Sequence, residues 1–242
     1  MHDHLNNLER EELIRIIEEK SDYLSLMIHQ LRTPLTAQKW FLESLSRENV
    51  SGHQNPNLEQ AQTSMLNALK LLDEMTQSNH CDEWKLSFHP QTISLSQVLM
   101  KTIALLGNES LAKHVSIIYE PDITIPDTVT ADPETFCIVL QNILENSIKY
   151  SPTGSTVTIT TKLFIENIVI MITDQGIGIP YDAQKEIFKK FYRAQNAKDY
   201  STGTGLGLYV ANKICQYHHS SLWFESIPDI GTTFFIKIPL AK

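Results

Sequence analysis

At 242 residues, with 42% hydrophobic and 20% charged side chains, the chain has room for one large folded domain or two modest ones and the composition of an ordinary globular protein. A formal net charge of −8 excludes a nucleic-acid partner gripped through a broad basic surface, and an anionic ligand would need positive charge or backbone N–H groups concentrated locally. Cys81, Cys137 and Cys215 are too few and too far apart for a disulfide framework or a zinc site, and no apolar run reaches the roughly eighteen residues of a membrane span. A soluble, cytoplasmic chain with buried free thiols and no transmembrane segment is expected.

Residues 1–47 read as one long helix. Leu5, Leu8, Leu13, Ile16, Ile17, Leu24, Ile28, Leu31, Leu35, Leu42 and Leu45 form a stripe near heptad spacing, with Glu, Lys and Arg on the other faces. Residues 1–20 form a coiled-coil-like extension. His29 falls about 100° round the helix from Ile28, off the stripe, and Thr33 lies one turn further on the same face. Pro34 cannot donate to the Gln30 carbonyl, so the helix should bend just beyond the histidine. An exposed imidazole, a hydroxyl one turn on and a built-in bend make a plausible reactive site. Glu48–Asn57, with Gly52 and Pro56, is a connection, and Leu58–Asn79 resumes the helical period. A two-helix hairpin over 21–82 with one apolar stripe per helix cannot bury it alone. Two copies forming a four-helix bundle would, so a homodimer is expected.

Periodicity stops around Asn79–Trp84, and a second domain is expected over 83–242. Leu86–His89 is a strand candidate, Leu95–Lys113 a helix, and Val115–Tyr119 and Thr128–Ala131 strands. Asp132-Pro133 is an N-cap followed by proline at the first helical position, and that helix should run to about Lys149. Thr156–Phe164 and Asn167–Thr173 read as a strand pair, followed by a turn-rich stretch, a helix from about Gly205 to Tyr217, and strands at Leu222–Glu225 and Thr233–Ile238. Helices and strands mix without a strict βαβ repeat. The fold class expected is therefore α+β, a helical hairpin followed by an α/β sandwich with a mixed sheet.

Four strings in the second half carry chemistry. Asn142, Asn146, Lys149 and Tyr150 share one helical face, where an asparagine carbonyl suits Mg²⁺ and a lysine can neutralise phosphate. Asp174-Gln175-Gly176-Ile177-Gly178 follows a strand, placing a carboxylate where it can accept from an adenine amino group beside glycines that permit close backbone approach. Phe188, Phe191 and Tyr192 can pack a mobile segment down, with Arg193 reaching a phosphate. Gly203-Thr204-Gly205-Leu206-Gly207 precedes a helix, and backbone N–H groups at such a start favour a polyphosphate. The spacing is neither a P-loop nor a dinucleotide fingerprint. Residues 194–202, with Lys198 and Ser201, read as a flexible lid.

His29-Gln30-Leu31-Arg32-Thr33-Pro34-Leu35 resembles the phosphoacceptor box of sensor histidine kinases, and the four later strings, in this order, resemble the asparagine, first glycine, phenylalanine and second glycine boxes of their ATP-binding domain, itself similar to those of Hsp90, DNA gyrase and MutL. The resemblance covers about residues 20–240. It implies ATP and Mg²⁺ as cofactors, with Asn146 as the metal ligand, Asn142, Lys149 and Tyr150 as further nucleotide contacts, Asp174 reading adenine and Arg193 contacting phosphate. It also implies His29 as the phosphorylated residue, a response-regulator receiver domain as partner, and the cytoplasmic portion of a membrane-anchored sensor as one form the chain takes. Two positions depart from the pattern. Gln30 stands where an acidic residue usually follows the histidine, and His218-His219-Ser220-Ser221 replaces a His-Gly-Gly-like turn. Two other readings stand beside this one: an ATP-hydrolysing clamp, whose relatives carry Glu where Asn142 stands, and a kinase-weak, phosphatase-biased or scaffold protein, to which Gln30 points.

Overall fold

The computed structural model describes residues 35–40, 64–65, 68–69, 88–201 and 203–241. The chain divides into two compact units, Met1–Thr76 and Gln77–Lys242. In the first, every described residue is helical, with Ala68 buried and Leu35, Trp40, Met65 and Leu69 exposed. His29, Gln30 and Thr33, and with them the expected bend at Pro34, lie outside the described residues. Among the described residues no helix is long and apolar enough to cross a membrane.

Among its described residues the second unit holds seven strands and five helices in the order β1 (Gln91–Ser94), α1 (Leu95–Leu105), α2 (Gly107–Lys113), β2 (Ser116–Glu120), β3 (Thr128–Ala131), α3 (Pro133–Tyr150), β4 (Thr156–Phe164), β5 (Asn167–Thr173), α4 (Gln195–Tyr200), α5 (Gly207–Tyr217), β6 (Ser221–Ile227) and β7 (Gly231–Pro239). The main sheet runs β2-β4-β5-β7-β6. β2 and β4 are parallel and the other neighbours antiparallel, which makes the sheet mixed. β1 and β3 form a separate antiparallel pair.

Alternation along the strands explains the layering. Ile168, Ile170 and Ile172 of β5 and Phe234, Ile236 and Ile238 of β7 are buried, while the residues between them are not. These side chains form one core with Leu95 and Leu99 of α1, Leu140, Ile143, Leu144 and Ile148 of α3, and Val210 and Ile214 of α5. Helices therefore cover one face of the sheet. On the other, Trp223 and Phe235 stack with ring centroids 5.2 Å apart.

Helix α3 starts where its local chemistry requires. Asp132 accepts from the Glu134 and Thr135 N–H groups at 3.0 and 3.1 Å, with Pro133 next in line. Two expectations need correction. The first strand begins at Gln91, whereas Phe88 and His89, the described part of the expected strand, run as irregular backbone. Pro90 interrupts there, and the His89 N–H goes to Asp132 Oδ2 at 3.0 Å, leaving no ladder to join. The helix expected over Leu95–Lys113 is two helices. The chain turns at Leu106 (φ −93°, ψ 1°), just before Gly107, with the Leu106 N–H shared between the Thr102 and Ile103 carbonyls.

Candidate active site

Asp174 sits at the end of β5 and is buried. Its Oδ1 accepts from the Gly176 N–H at 2.9 Å and from the Thr232 N–H at 3.0 Å. Burial pushes its carboxyl up to about 6, and the two backbone N–H groups oppose that only in part. Ser147, whose Oγ is buried without a well-formed hydrogen bond, adds a weak pull downward. A carboxylate held like this by one oxygen, with few competing donors, is a strong acceptor for a ligand N–H.

The glycines around it let protein meet protein. A Cβ on Gly176 would lie 2.8 Å from both Asp174 Oδ1 and the Tyr150 carbonyl oxygen. One on Gly178, where φ is +61°, would lie 2.2 Å from the Ile227 carbonyl oxygen. The loop is thus wedged between the end of α3 and the β6–β7 hairpin, and the Ile177 N–H donates to the Tyr150 carbonyl at 3.2 Å. This ties Asp174 to the asparagine-bearing helix.

Helix α3 presents Asn142, Asn146, Lys149 and Tyr150, all half-buried. Asn142 Nδ2 donates to the Ile138 carbonyl at 2.9 Å, so Oδ1 is the end that faces Gly207, where a Cβ would come within 2.6 Å of it. A Cβ on Gly203 would come equally close to Lys149 Nζ. The second glycine string therefore runs along the face of α3 that carries the amide and the ammonium. Its course is fixed from behind. The Phe191 N–H donates to the Gly205 carbonyl at 3.0 Å, and Gly205, with φ +74°, has no room for a Cβ against the Phe191 and Tyr192 backbone. Buried Thr204 accepts the Leu206 N–H at 3.2 Å, and α5 begins at Gly207.

Amide oxygen and ammonium on one helix, a buried carboxylate after β5 and a glycine string entering α5 thus converge from three separate parts of the chain. The model of the His Kinase A phospho-acceptor domain matches residues 19–79, and that of the histidine kinase-, DNA gyrase B- and HSP90-like ATPases matches residues 131–242. The chain belongs to the histidine kinases. Sensor protein EvgS of Escherichia coli O157:H7 is 30% identical to this kinase over 244 residues, covering 98% of this chain and 20% of that protein. The histidine kinase AdeS of Acinetobacter baumannii superposes with a TM-score of 0.69 at 20% identity, over 88% of this chain and 98% of that one. Histidine kinase ThkA, solved in complex with the response regulator protein TrrA, gives a TM-score of 0.64 at 18% identity, over 96% of this chain and 64% of that one. The chain spans a fifth of EvgS and less than two thirds of the other curated relatives compared.

Arg193 and Phe188 of the third string both make their contacts within the second unit. Arg193 turns into its own lid, where Nη2 donates to the Ala197 carbonyl at 2.8 Å and to the Ser201 carbonyl, while Nε is buried without a partner. Phe188 packs into the domain, 5.8 Å from the Phe224 ring. The lid expected over 194–202 contains the short helix α4. Sequence reading missed Thr232 and Ser147 as partners of Asp174. It also missed Asn196, whose Nδ2 donates to the Gly178 carbonyl at 3.1 Å. The one available signal for the first was Gly231, whose Cβ would stand 2.2 Å from the Asp174 carbonyl oxygen.

Proposed function

We propose that this chain is the catalytic core of a homodimeric sensor histidine kinase that transfers the γ-phosphoryl group of ATP to His29 and then to an aspartate of a response-regulator receiver domain. The observation that carries the reading is the approach of Asn142 to Gly207 and of Lys149 to Gly203, with Asp174 buried beside the C-terminal end of the same helix. Phosphoryl transfer asks the protein for positioning and charge neutralisation. Asp174 accepts the adenine amino group, Lys149 and the N–H groups entering α5 neutralise phosphate, and Tyr150 flanks the nucleotide. The residues present fit Mg²⁺, since an asparagine carbonyl such as that of Asn146 is a hard oxygen donor. The metal, when bound, supplies positive charge at the phosphates.

In the first transfer a bond forms between an imidazole nitrogen of His29 and the γ-phosphorus. The bridging bond to the β-phosphate oxygen breaks, ADP leaves, and the ring gives up a proton. Thr33, one turn on, fits a role in orienting water toward a regulator's phosphoaspartate. The bundle domain over 21–82 supplies the nucleophile and the dimer contact, the domain over 83–242 supplies the nucleotide site, and a cytoplasmic location, free or as part of a membrane-anchored sensor, suits both.

Incubation with γ-labelled ATP and Mg²⁺, wild type against His29→Gln, tests the proposal. An acid-labile, base-stable label on the wild type, absent from the variant, is expected. Steady ATP consumption without stable label would favour a hydrolysing clamp instead. Gln30 supports a second reading, a kinase-weak protein whose main work is removing phosphate from the regulator, and regulator dephosphorylation without self-labelling would favour it.

A further inference from the structure

The lid helix α4 is too short to be stable on its own, its N-cap residue Ala194 makes no side-chain bond, and it buries no residue at all. Apolar burial therefore does not hold it in place. Arg193 ties the Ala197 and Ser201 carbonyls together within the lid, and polar and aromatic contacts at the two ends of α4 join it to the rest of the domain. Near its start, Asn196 donates to the Gly178 carbonyl in the first glycine loop. At its end, the Tyr200 hydroxyl donates to the Ser151 carbonyl at 3.1 Å, just past the last turn of α3. The Tyr200 ring lies 6.2 Å from the Tyr150 ring and beneath Lys113 Nζ, which is 4.9 Å from its centroid. Lys113 closes α2, and its Nζ also donates to the Lys149 carbonyl. One ammonium thus caps the helix that carries the phosphate lysine and roofs the tyrosine that ends the lid.

We propose that Tyr200 is a positioning residue that latches the lid across the nucleotide site, with Lys113 as its keeper, so that the latch sets how fast nucleotide leaves. The proposal rests on the kinase reading above for the identity of the nucleotide, and on contacts alone for the latch. With no buried side chain in α4 to compensate, losing one end contact should free the helix. A hydrogen bond together with a cation–π contact corresponds to roughly a tenfold change in an opening equilibrium.

The test uses the whole chain and two readouts. In Tyr200→Ala, hydrogen exchange at the Lys198 and Ser201 amides, which bond to the Ala194 and Ala197 carbonyls, should quicken roughly tenfold, and release of a fluorescent ATP analogue should quicken with it. Tyr200→Phe, which keeps the ring under Lys113, should fall between. The double variant Lys113→Gln/Tyr200→Ala should release nucleotide no faster than Tyr200→Ala alone. Wild-type exchange in Tyr200→Ala, or faster exchange with unchanged release, would overturn the latch. Failure of the wild-type chain to bind nucleotide would overturn the kinase reading, and the exchange readout would still decide whether Tyr200 holds the lid.

Discussion

Asp174 and Thr232 are bonded to one another twice, although 58 residues separate them. The Asp174 N–H donates to the Thr232 carbonyl at 2.8 Å, and the Thr232 N–H donates to Asp174 Oδ1 at 3.0 Å. The exchange carries the β5–β7 ladder one step past its last named pair, Thr173 and Thr233. It anchors the carboxylate to the sheet rather than to a mobile loop, and it keeps the group out of water.

That burial sets function against stability. The Asp174 carboxyl is raised from 3.8 to about 6, so the folded chain holds this proton more tightly than the unfolded one. Its contribution is fully present below about pH 4 and is lost as pH rises through about 6, a difference on the order of 3 kcal/mol. Asp174→Asn, which cannot ionise, should therefore raise the urea midpoint at pH 7. The same change should weaken ATP roughly ten- to a hundredfold and GTP much less. Equal loss for both nucleotides would remove Asp174 from the adenine site.

His218 titrates with the opposite sign. It is buried, it accepts the Asp132 N–H on Nε2 at 3.1 Å, and its Nδ1 lies 2.9 Å from the Ile214 carbonyl, which assigns the neutral Nδ1–H tautomer. Burial lowers its pKa below the ordinary 6.5. The stability it supports is present above the ordinary histidine value and is lost as pH falls through the lowered one. His218→Gln retains an acceptor and cannot protonate. The stability difference between wild type and this variant should shrink or reverse between pH 7.5 and 5, read from denaturation midpoints. A constant difference would show that the ring binds its proton equally well in the folded and the unfolded chain, so that burial does not lower its pKa.

Gly207→Ala separates site from scaffold. The added methyl would meet the Asn142 amide oxygen at 2.6 Å, the far end of a side chain that can swing aside. Alanine is the better residue in a helix by up to about 1 kcal/mol. Thermal stability should hold or rise while ATP affinity falls about tenfold through the displaced amide. A matching loss of both would place the role of this glycine in packing alone.

On the proposed role of Thr33 in orienting water, Thr33→Ala should leave self-labelling intact and reduce dephosphorylation of the regulator. The check is loss of label from a phosphorylated receiver domain, followed over time with each protein. Undiminished loss would exclude the hydroxyl from that step.

Gln30 marks the chemistry most directly. Its amide oxygen can fix the tautomer of a neighbouring imidazole, but it carries no charge and is a poor base. Positioned general-base help is typically worth about 10²–10⁴ in rate, so Gln30→Glu should speed self-labelling of His29 by about tenfold or more. Initial rates at saturating ATP decide it, and a rate at or below wild type would place the base elsewhere.

What the sequence made legible was local. Asp132 and Pro133 announced the start of α3 because capping needs only neighbours in the chain, and the strand pair β4–β5 was readable from alternation across a two-residue turn. Strand β1 was not readable, since its four residues have no marked pattern and owe their conformation to pairing with β3, from Gln91–Ala131 to Ser94–Thr128. The break at Leu106 has only Gly107 as a cue. In the site, motif residues were identifiable by type and spacing, but their partners were not. Thr232 meets Asp174 through its backbone, and Lys113 meets Tyr200 from a helix that no motif covers. Arg193, read as a phosphate contact, bonds the Ala197 and Ser201 carbonyls of the lid, acceptors that one-dimensional pattern does not reveal.

The strand order has a consequence for how the protein is made. β7 follows every other strand in the chain yet lies inside the sheet, between β5 and β6. While the ribosome is still short of Gly231, the edge of β5 has no partner and Asp174 has no Thr232 to meet. The buried Asp174 site thus comes into being only with the final strand, which brings the second backbone donor to its carboxylate.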